Sequence, residues 1–283
     1  MFDLLNRAKP PLKWAGGKSQ LLSQLIDNFP NRFERLIEPF LGGAAVSLSL
    51  TQGTSALLND SNFEIINLYS VIKTNPNELM NELDRLSTLY SREFYYQLRS
   101  EAPDSAVEQA ARTLFLNKTG FNGLYRQNRQ GKFNVPFGHR RTCPALYDAE
   151  NLKKVSLRLQ SAELRHGDFG QVIAEAGCGD FVYCDPPYEP LSPTSSFNAY
   201  TRGGFSRDEQ RRLHSACLNA AQRGAFVAIS NSASPFILDL FAGHDVRTVN
   251  ARRAINSKGN GRGVIEEVLV LFDTVERRPS LSQ

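Results

Sequence analysis

Apolar residues along this chain repeat with two different periods. Leu36-Ile37, Ala56-Leu57-Leu58, Phe181-Val182-Tyr183-Cys184 and the runs at 225–230 and 264–272 are short, rich in β-branched and aromatic residues, and bounded by turn formers. Such runs read as strands, and weaker ones fall at 163–165 and near Val246. Between them apolar positions recur at helical spacing: Leu21, Leu22, Leu25 and Ile26; Val46, Leu48 and Leu50; Phe63, Ile66 and Leu68; then 149–159, Val172 with Ile173, 207–223 and 236–241. From 62 to 118 the pattern is helical throughout, with amphipathic segments at 75–89, 92–100 and 106–118 and no strand signal. Strands alternating with helices predict an α/β sheet, and the long helical stretch predicts an insertion into it.

The run at 181–184 carries the chemistry. It stops on Asp185-Pro186-Pro187-Tyr188, and Gly179 precedes it. A short apolar run so bounded predicts a buried parallel strand with Asp185 at its carboxyl end, where open α/β sheets bind ligands. The two prolines fix the backbone beyond the strand and remove two N–H donors, leaving carbonyl acceptors beside a carboxylate and a ring. That set suits a planar amine held edge-on to acceptors and face-on to the ring. Taken alone, the tetrapeptide reads first as a strand-ending turn.

Other segments give it company. Lys13-Trp14-Ala15-Gly16-Gly17-Lys18 is a glycine turn opening a helix, with the chain's single tryptophan beside it. Gly17-Lys18-Ser19 is not a phosphate-binding P-loop, because Leu12 stands where that motif needs its first glycine. Glu38-Pro39-Phe40-Leu41-Gly42-Gly43 runs from strand to glycine turn to helix as in the first unit of a Rossmann-like sheet, without the full dinucleotide spacing. Asp60 ends the second strand, where such folds set a carboxylate against ribose hydroxyls; capping the next helix is the competing role. Asp168 reads first as a helix cap and second as a contact to a cofactor base.

Residues 120–141 interleave Phe121, Tyr125, Phe133 and Phe137 with Arg126, Arg129, Lys132, Arg140 and Arg141 and with Asn122, Gln127, Asn128 and Asn134, and Gln130-Gly131 reads as a hairpin tip. Cations for phosphates and guanine edges, amides for adenine and a ring to fill a vacated stack are the parts of a DNA reader. A second basic tract lies at 252–262, and residues 189–204 form a long Ser/Thr/Pro/Gly-rich loop suited to closing over a site.

Composition constrains the rest. The 283 residues are 41% hydrophobic and 22% charged with a formal charge of +4, a globular balance that permits a nucleic-acid partner. Cys143, Cys178, Cys184 and Cys217 form no C-x-x-C pair, so neither disulfides nor structural zinc are indicated and no metal site is expected. No apolar run reaches membrane-spanning length and the first residues lack a signal-peptide design, which predicts a soluble protein of the cytoplasm.

In order and spacing, Lys13-Trp14-Ala15-Gly16-Gly17-Lys18, Glu38-Pro39-Phe40-Leu41-Gly42-Gly43, Asn122-Gly123-Leu124-Tyr125-Arg126, Phe133-Asn134-Val135-Pro136-Phe137-Gly138 and Asp185-Pro186-Pro187-Tyr188 resemble the Dam-type DNA adenine-N6 methyltransferases over nearly the whole chain. The resemblance implies a Rossmann-like methyltransferase sheet, residues 1–60 and 163–283, interrupted by a mainly helical target-recognition domain with a hairpin loop, residues 61–162. It implies S-adenosylmethionine as donor, held by Trp14, Lys18, Glu38, Phe40, Gly42, Asp60, Asp168 and Asp185, and catalysis by Asp185, Pro186, Pro187 and Tyr188. It implies double-stranded DNA read within GATC by Lys13, Phe121, Asn122, Leu124, Arg126, Asn134, Pro136, Arg140 and Arg141, with the target base flipped out. A cognate restriction endonuclease is compatible with it, and the oligomeric state is open. Competing readings are methylation of cytosine N4, RNA adenine or a protein amide, and a catalytically inactive DNA-binding protein of the same fold.

Overall fold

Strands form where the apolar runs predicted them, because each run is short, stops at a turn former and carries side chains that a sheet can bury on both faces. The computed structural model describes residues 7–51, 53–128, 130–190, 205–252 and 264–272, with residues 251, 252 and 264–266 known by their backbone alone. Most of the loop at 189–204, Arg129, nearly all of the basic tract at 252–262 and the residues after 272 lie outside the described residues. In chain order the first elements are α1 (Leu22–Ile26), β1 (Arg35–Glu38), α2 (Ser47–Leu50), β2 (Ser55–Asp60), α3 (Phe63–Thr74), α4 (Pro76–Thr88), α5 (Arg92–Ser100) and α6 (Ala106–Thr119). They are followed by α7 (Ala149–Leu159), β3 (Ala162–His166), α8 (Phe169–Ala174), β4 (Asp180–Cys184), α9 (Arg207–Gln222), β5 (Phe226–Ser232), α10 (Pro235–Leu240), β6 (Asp245–Arg252) and β7 (Val264–Phe272). The fold is mixed α/β, with seven strands in the order β3-β2-β1-β4-β5-β7-β6 among the described residues.

The chain divides into two compact units. Among the described residues the first comprises 7–17 and 41–167. In it β2 pairs parallel with β3, from Ala56 opposite Ala162 to Asp60 opposite His166, and α3 to α7 supply the rest. Between β2 and β3 the described residues hold helices and two isolated antiparallel bridges, Gly120 to Phe137 and Gln127 to Phe133. The Gln130-Gly131 hairpin tip is there: Asn128 N–H donates to the Lys132 carbonyl and Asn134 N–H to the Arg126 carbonyl. Local sequence dictates most helix starts, since Asn62, Ser91, Ser105 and Asp148 each accept a backbone N–H from the first turn of α3, α5, α6 and α7.

Among the described residues the second unit comprises 18–40, 168–190, 205–252 and 264–272. Here β4 lies parallel between β1 and β5, and β7 runs antiparallel between β5 and β6. Every residue of β4 is buried, as a central strand covered on both faces requires. Arg35 on β1 holds both Asp180 oxygens, at 3.0 and 2.8 Å, and fixes the start of β4. Phe29, Phe33 and Phe226 each pack on the Phe181 ring. The four cysteines are free thiols, and Cys184 and Cys217 lie buried with their sulfurs 3.8 Å apart. Among the described residues no helix is long and apolar enough to cross a membrane, and no group of three or more His, Cys, Asp or Glu side chains is arranged to hold a metal ion.

Candidate active site

In the second unit β4 ends in the interior and delivers Asp185 to the carboxyl edge of the sheet. Its side chain is 21% exposed, and Lys18 Nζ, on a side chain only 4% exposed, lies 2.7 Å from Asp185 Oδ1. Burial lifts the Asp185 carboxyl above its ordinary range, and the Lys18 ammonium works against that rise. The same ammonium sits 4.8 Å from the centre of the Tyr188 ring. Tyr188 donates its hydroxyl proton to Glu267 Oε2 on β7 at 2.7 Å, and Glu267 Oε2 lies 3.9 Å from Lys18 Nζ. Burial, with Asp185 and Glu267 close by, pushes the Tyr188 phenol well above its ordinary range, so Tyr188 is a neutral donor. Glu38, at the end of β1, is also buried and acts with Asp185 and Glu267 on the neighbouring Tyr183 phenol.

The loop after Asp185 is held by polar side chains inside the core. Gln210 on α9, fully buried, donates to the Pro187 carbonyl at 3.0 Å and accepts from Asn231 Nδ2 at 3.1 Å. Asn231 and Ser232 on β5 then engage the Glu189 N–H and carbonyl, and Glu189 accepts from Arg207. The prolines contribute no N–H here, so side chains from α9 and β5 fix the turn in place of backbone pairing. Phe40 packs on Phe169 and Phe205 with ring centres 5.2 and 5.7 Å away. Asp168 takes its predicted capping role, accepting the Gly170 N–H, and binds Arg212 with both oxygens at 2.8 and 2.6 Å. Hydrogen bonds from Arg212 hold its carboxyl below the usual range.

In the first unit the carboxyl end of β2 is built differently. Asp60 does not cap α3; Asn62 does, accepting the Glu64 N–H. Asp60 accepts instead from the Gly42 N–H at 2.8 Å and the Asn62 N–H at 2.9 Å, which ties the glycine turn to β2 and opposes the rise that burial imposes on its carboxyl. Trp14 lies across that turn: a Cβ on Gly42 would meet the indole nitrogen at 2.6 Å, and one on Gly43 would meet Trp14 Cβ at 2.9 Å. Gly42, with φ +46°, also has a backbone that favours glycine. On its other side Trp14 packs on Tyr125, ring centres 5.1 Å apart. The Tyr125 hydroxyl donates to Glu64 and accepts from Asn62 and Gln127, and Arg112 anchors Glu64 at 3.1 Å.

The interleaved segment resolves into two faces. Tyr125, Phe133, Val135 and Phe137 are 5% exposed or less and form core, whereas Phe121 is 48% exposed. Period-two alternation turns Tyr125, Phe133 and Phe137 inward and leaves Phe121, the ring expected to serve DNA, on the surface. Lys13, Phe121, Asn122, Arg126, Pro136, Arg140 and Arg141 are exposed, and Leu124 and Asn134 are half-buried. Asn134 Oδ1 accepts from Arg126 Nε at 2.8 Å, so it orients that guanidinium. Asn122 has φ 56°, a conformation asparagine tolerates, and its carbonyl accepts from Lys13 Nζ at 2.6 Å. Asn117 escaped the sequence reading although it organises this face. Fully buried, it bonds both the N–H and the carbonyl of Lys13 and the Gly123 carbonyl. Glu267 escaped it as well; the Glu266-Glu267 pair inside an otherwise apolar strand was the available signal.

Gly43→Ala is expected to push the indole out of its seat. With a single tryptophan the readout is direct: emission should shift toward the exposed value and the melting temperature should fall, and an unchanged spectrum would mean that the indole does not rest on this turn.

Residues 14–255 match the model of the D12 class N6 adenine-specific DNA methyltransferases. The chain is 39% identical over 270 residues to the Type II methyltransferase M1.LlaDCHI of Lactococcus lactis subsp. cremoris, covering 93% of this chain and 94% of that protein. It is 39% identical over 287 residues to the Type II methyltransferase M.MjaIII of Methanocaldococcus jannaschii, covering 93% and 99%, and 35% identical over 265 residues to the DNA adenine methylase of Escherichia coli K12, covering 92% and 94%. The family model spans the glycine turn, the middle segment and the Asp-Pro-Pro-Tyr turn together, and membership implies S-adenosylmethionine as methyl donor. This chain belongs to the D12 class of N6 adenine-specific DNA methyltransferases.

Proposed function

We propose that the protein methylates adenine N6 within GATC in double-stranded DNA, on a base turned out of the helix. The observation that carries this reading is the seat of Lys18: an N–H donor 2.7 Å from Asp185 and 4.8 Å from the Tyr188 ring centre. An adenine amine needs the same surroundings. Its lone pair is delocalised into the ring, so the nitrogen is planar and a poor nucleophile. If Asp185 and the Pro186 carbonyl accept its two hydrogens while Tyr188 covers the base, the lone pair localises out of the plane. Asp185 also stabilises positive charge as it develops on that nitrogen, and its acceptors are fixed in advance by β4 and the Gln210 contact. The rise that burial imposes on the Asp185 carboxyl suits it to take the proton released after transfer.

S-adenosylmethionine, when bound, supplies an electrophilic methyl on a cationic sulfonium. The residues proposed to hold it are Trp14, Lys18, Glu38, Phe40, Gly42, Asp60, Asp168 and Asp185. The fit rests on their chemistry: Asp60 spends one lone pair per oxygen on backbone N–H groups and keeps others for hydroxyl donors. Glu38, Asp185 and Glu267 lie close enough to act together on Tyr183, a carboxylate-rich setting that favours a cation.

Target reading is assigned to residues 61–162, chiefly the exposed residues of the face described above. Lys13, Arg140 and Arg141 suit phosphates; Asn122, Arg126 and Asn134 suit base edges; Leu124 and Pro136 suit apolar contacts; and Phe121 fills the gap left by the flipped base. Flipping costs a few kcal/mol, which those contacts offset. The Type II methyltransferases of Lactococcus and Methanocaldococcus to which the chain is similar support a place in a restriction-modification pair with a cognate endonuclease. Action on DNA and four free thiols support a cytoplasmic setting.

Asp185→Ala should lower single-turnover methyl transfer to unmethylated plasmid by at least about a hundred- to a thousand-fold while the melting curve stays cooperative; near-normal transfer would remove Asp185 from the chemistry. Arg126→Ala should lose discrimination worth about 1 to 3 kcal/mol at one base of the site, measured across duplexes carrying single-base changes; an unaltered preference profile would take Arg126 out of base reading.

A further inference from the structure

Glu267 is built into the sheet and faces the methyl-transfer site. Its strand, β7, is flanked by β5 and β6, with Glu267 in register with Ser232 and Val249, so its backbone is held from both sides. Its carboxylate has two relations that matter. Oε2 accepts the Tyr188 hydroxyl at 2.7 Å, which sets the ring plane, and the same oxygen lies 3.9 Å from Lys18 Nζ, now bonded to Asp185.

A carboxylate bonded to an ammonium is poorly placed to accept an amine, and a largely buried ammonium cannot be dismissed into an apolar interior. An amine that is to bond Asp185 Oδ1 must therefore move Lys18. Glu267 lies in reach: a shift of about 1 Å brings Nζ within ordinary hydrogen-bonding distance of Oε2. A carboxylate offers about four acceptor positions, so Glu267 can take the ammonium and keep the phenol. Lys18 then stays paired, Asp185 stays anionic and faces the incoming amine, and Tyr188 holds its ring in place.

We propose that Glu267 is a positioning residue of the methyl-transfer site, orienting Tyr188 through its hydroxyl and receiving the Lys18 ammonium when a target amine displaces it from Asp185. This rests on the reading of Asp185 as the amine acceptor given above. The Lys18 ammonium thereby serves as an internal stand-in for the substrate amine, keeping the acceptor occupied until a base arrives.

Two measurements test it. The first needs only the protein: in a crystal structure of Asp185→Asn, where the charge at the first seat is removed, Lys18 Nζ is expected within about 3 Å of the Glu267 carboxylate. A lysine that points to solvent, or stays beside the substituted side chain, overturns the proposal. The second is a double-mutant cycle on single-turnover methyl transfer. Glu267→Gln keeps an acceptor for Tyr188 but removes the charge; it should slow transfer by about tenfold or more with donor affinity changed by less than about twofold. On a Lys18→Met background the same change should have little further effect, because no ammonium remains to be received. Multiplicative losses, or a wild-type rate in Glu267→Gln, overturn the proposal; a purely structural role would lower the rate equally on both backgrounds. Melting curves check folding, and Tyr188→Phe separates loss of the phenol contact from loss of the charge. Should the wild-type protein methylate no adenine-containing duplex, the functional reading fails while the crystallographic arm still decides where Lys18 goes.

Discussion

A buried acid at the carboxyl end of a central strand must be given a partner, and in this protein the partner is the Lys18 ammonium. Asp185 has little choice of position, because β4 is covered on both faces and pinned at its start by Arg35 and Asp180. Two prolines then withhold the N–H groups that would ordinarily quench its oxygens. The result is a carboxylate with unspent acceptor capacity beside an oriented phenol ring, steadied by the cation that stands against it. Under the proposed reading, the target amine takes the place of that cation.

The first unit solves a related problem with neutral groups. Asp60, lifted by burial, is steadied by two backbone N–H groups, and the glycine turn that supplies one of them forms the seat of the indole. Trp14 leans on Tyr125, whose hydroxyl joins Asn62, Glu64 and Gln127. The two aspartates at the ends of β2 and β4 thus do different work. One is anchored by two backbone N–H groups; the other is paired with the Lys18 ammonium.

Much of this was legible in the residues because the signals were local. Proline and glycine end runs, apolar period separates strand from helix, and Asn, Ser and Asp at helix starts announce caps, so the strands and long helices fall where the pattern puts them. The Asp-Pro-Pro-Tyr turn was legible for the same reason. What resisted reading depends on contacts across long sequence separations. Period-two alternation around the hairpin assigns Tyr125 and Phe133 to the core, but the aromatic content of that tract suggested a nucleic-acid face. Asn117, Gln210 and Asn231 look like ordinary polar positions on α6, α9 and β5, and their buried amides acquire meaning only from the backbone groups they meet. Glu267 reaches Tyr188 across 79 positions of chain, a distance over which no local pattern speaks.

The central claim is that the Asp185 oxygen now bonded to Lys18 is the one that accepts the target amine. The most direct measurement is a crystal structure of the protein with a donor analogue and a duplex carrying GATC. The account predicts the adenine amino nitrogen in hydrogen-bonding contact with Asp185, its ring over Tyr188 and Lys18 Nζ displaced from the carboxylate. A flipped base lodged elsewhere, with the Lys18 to Asp185 pair intact, would contradict it.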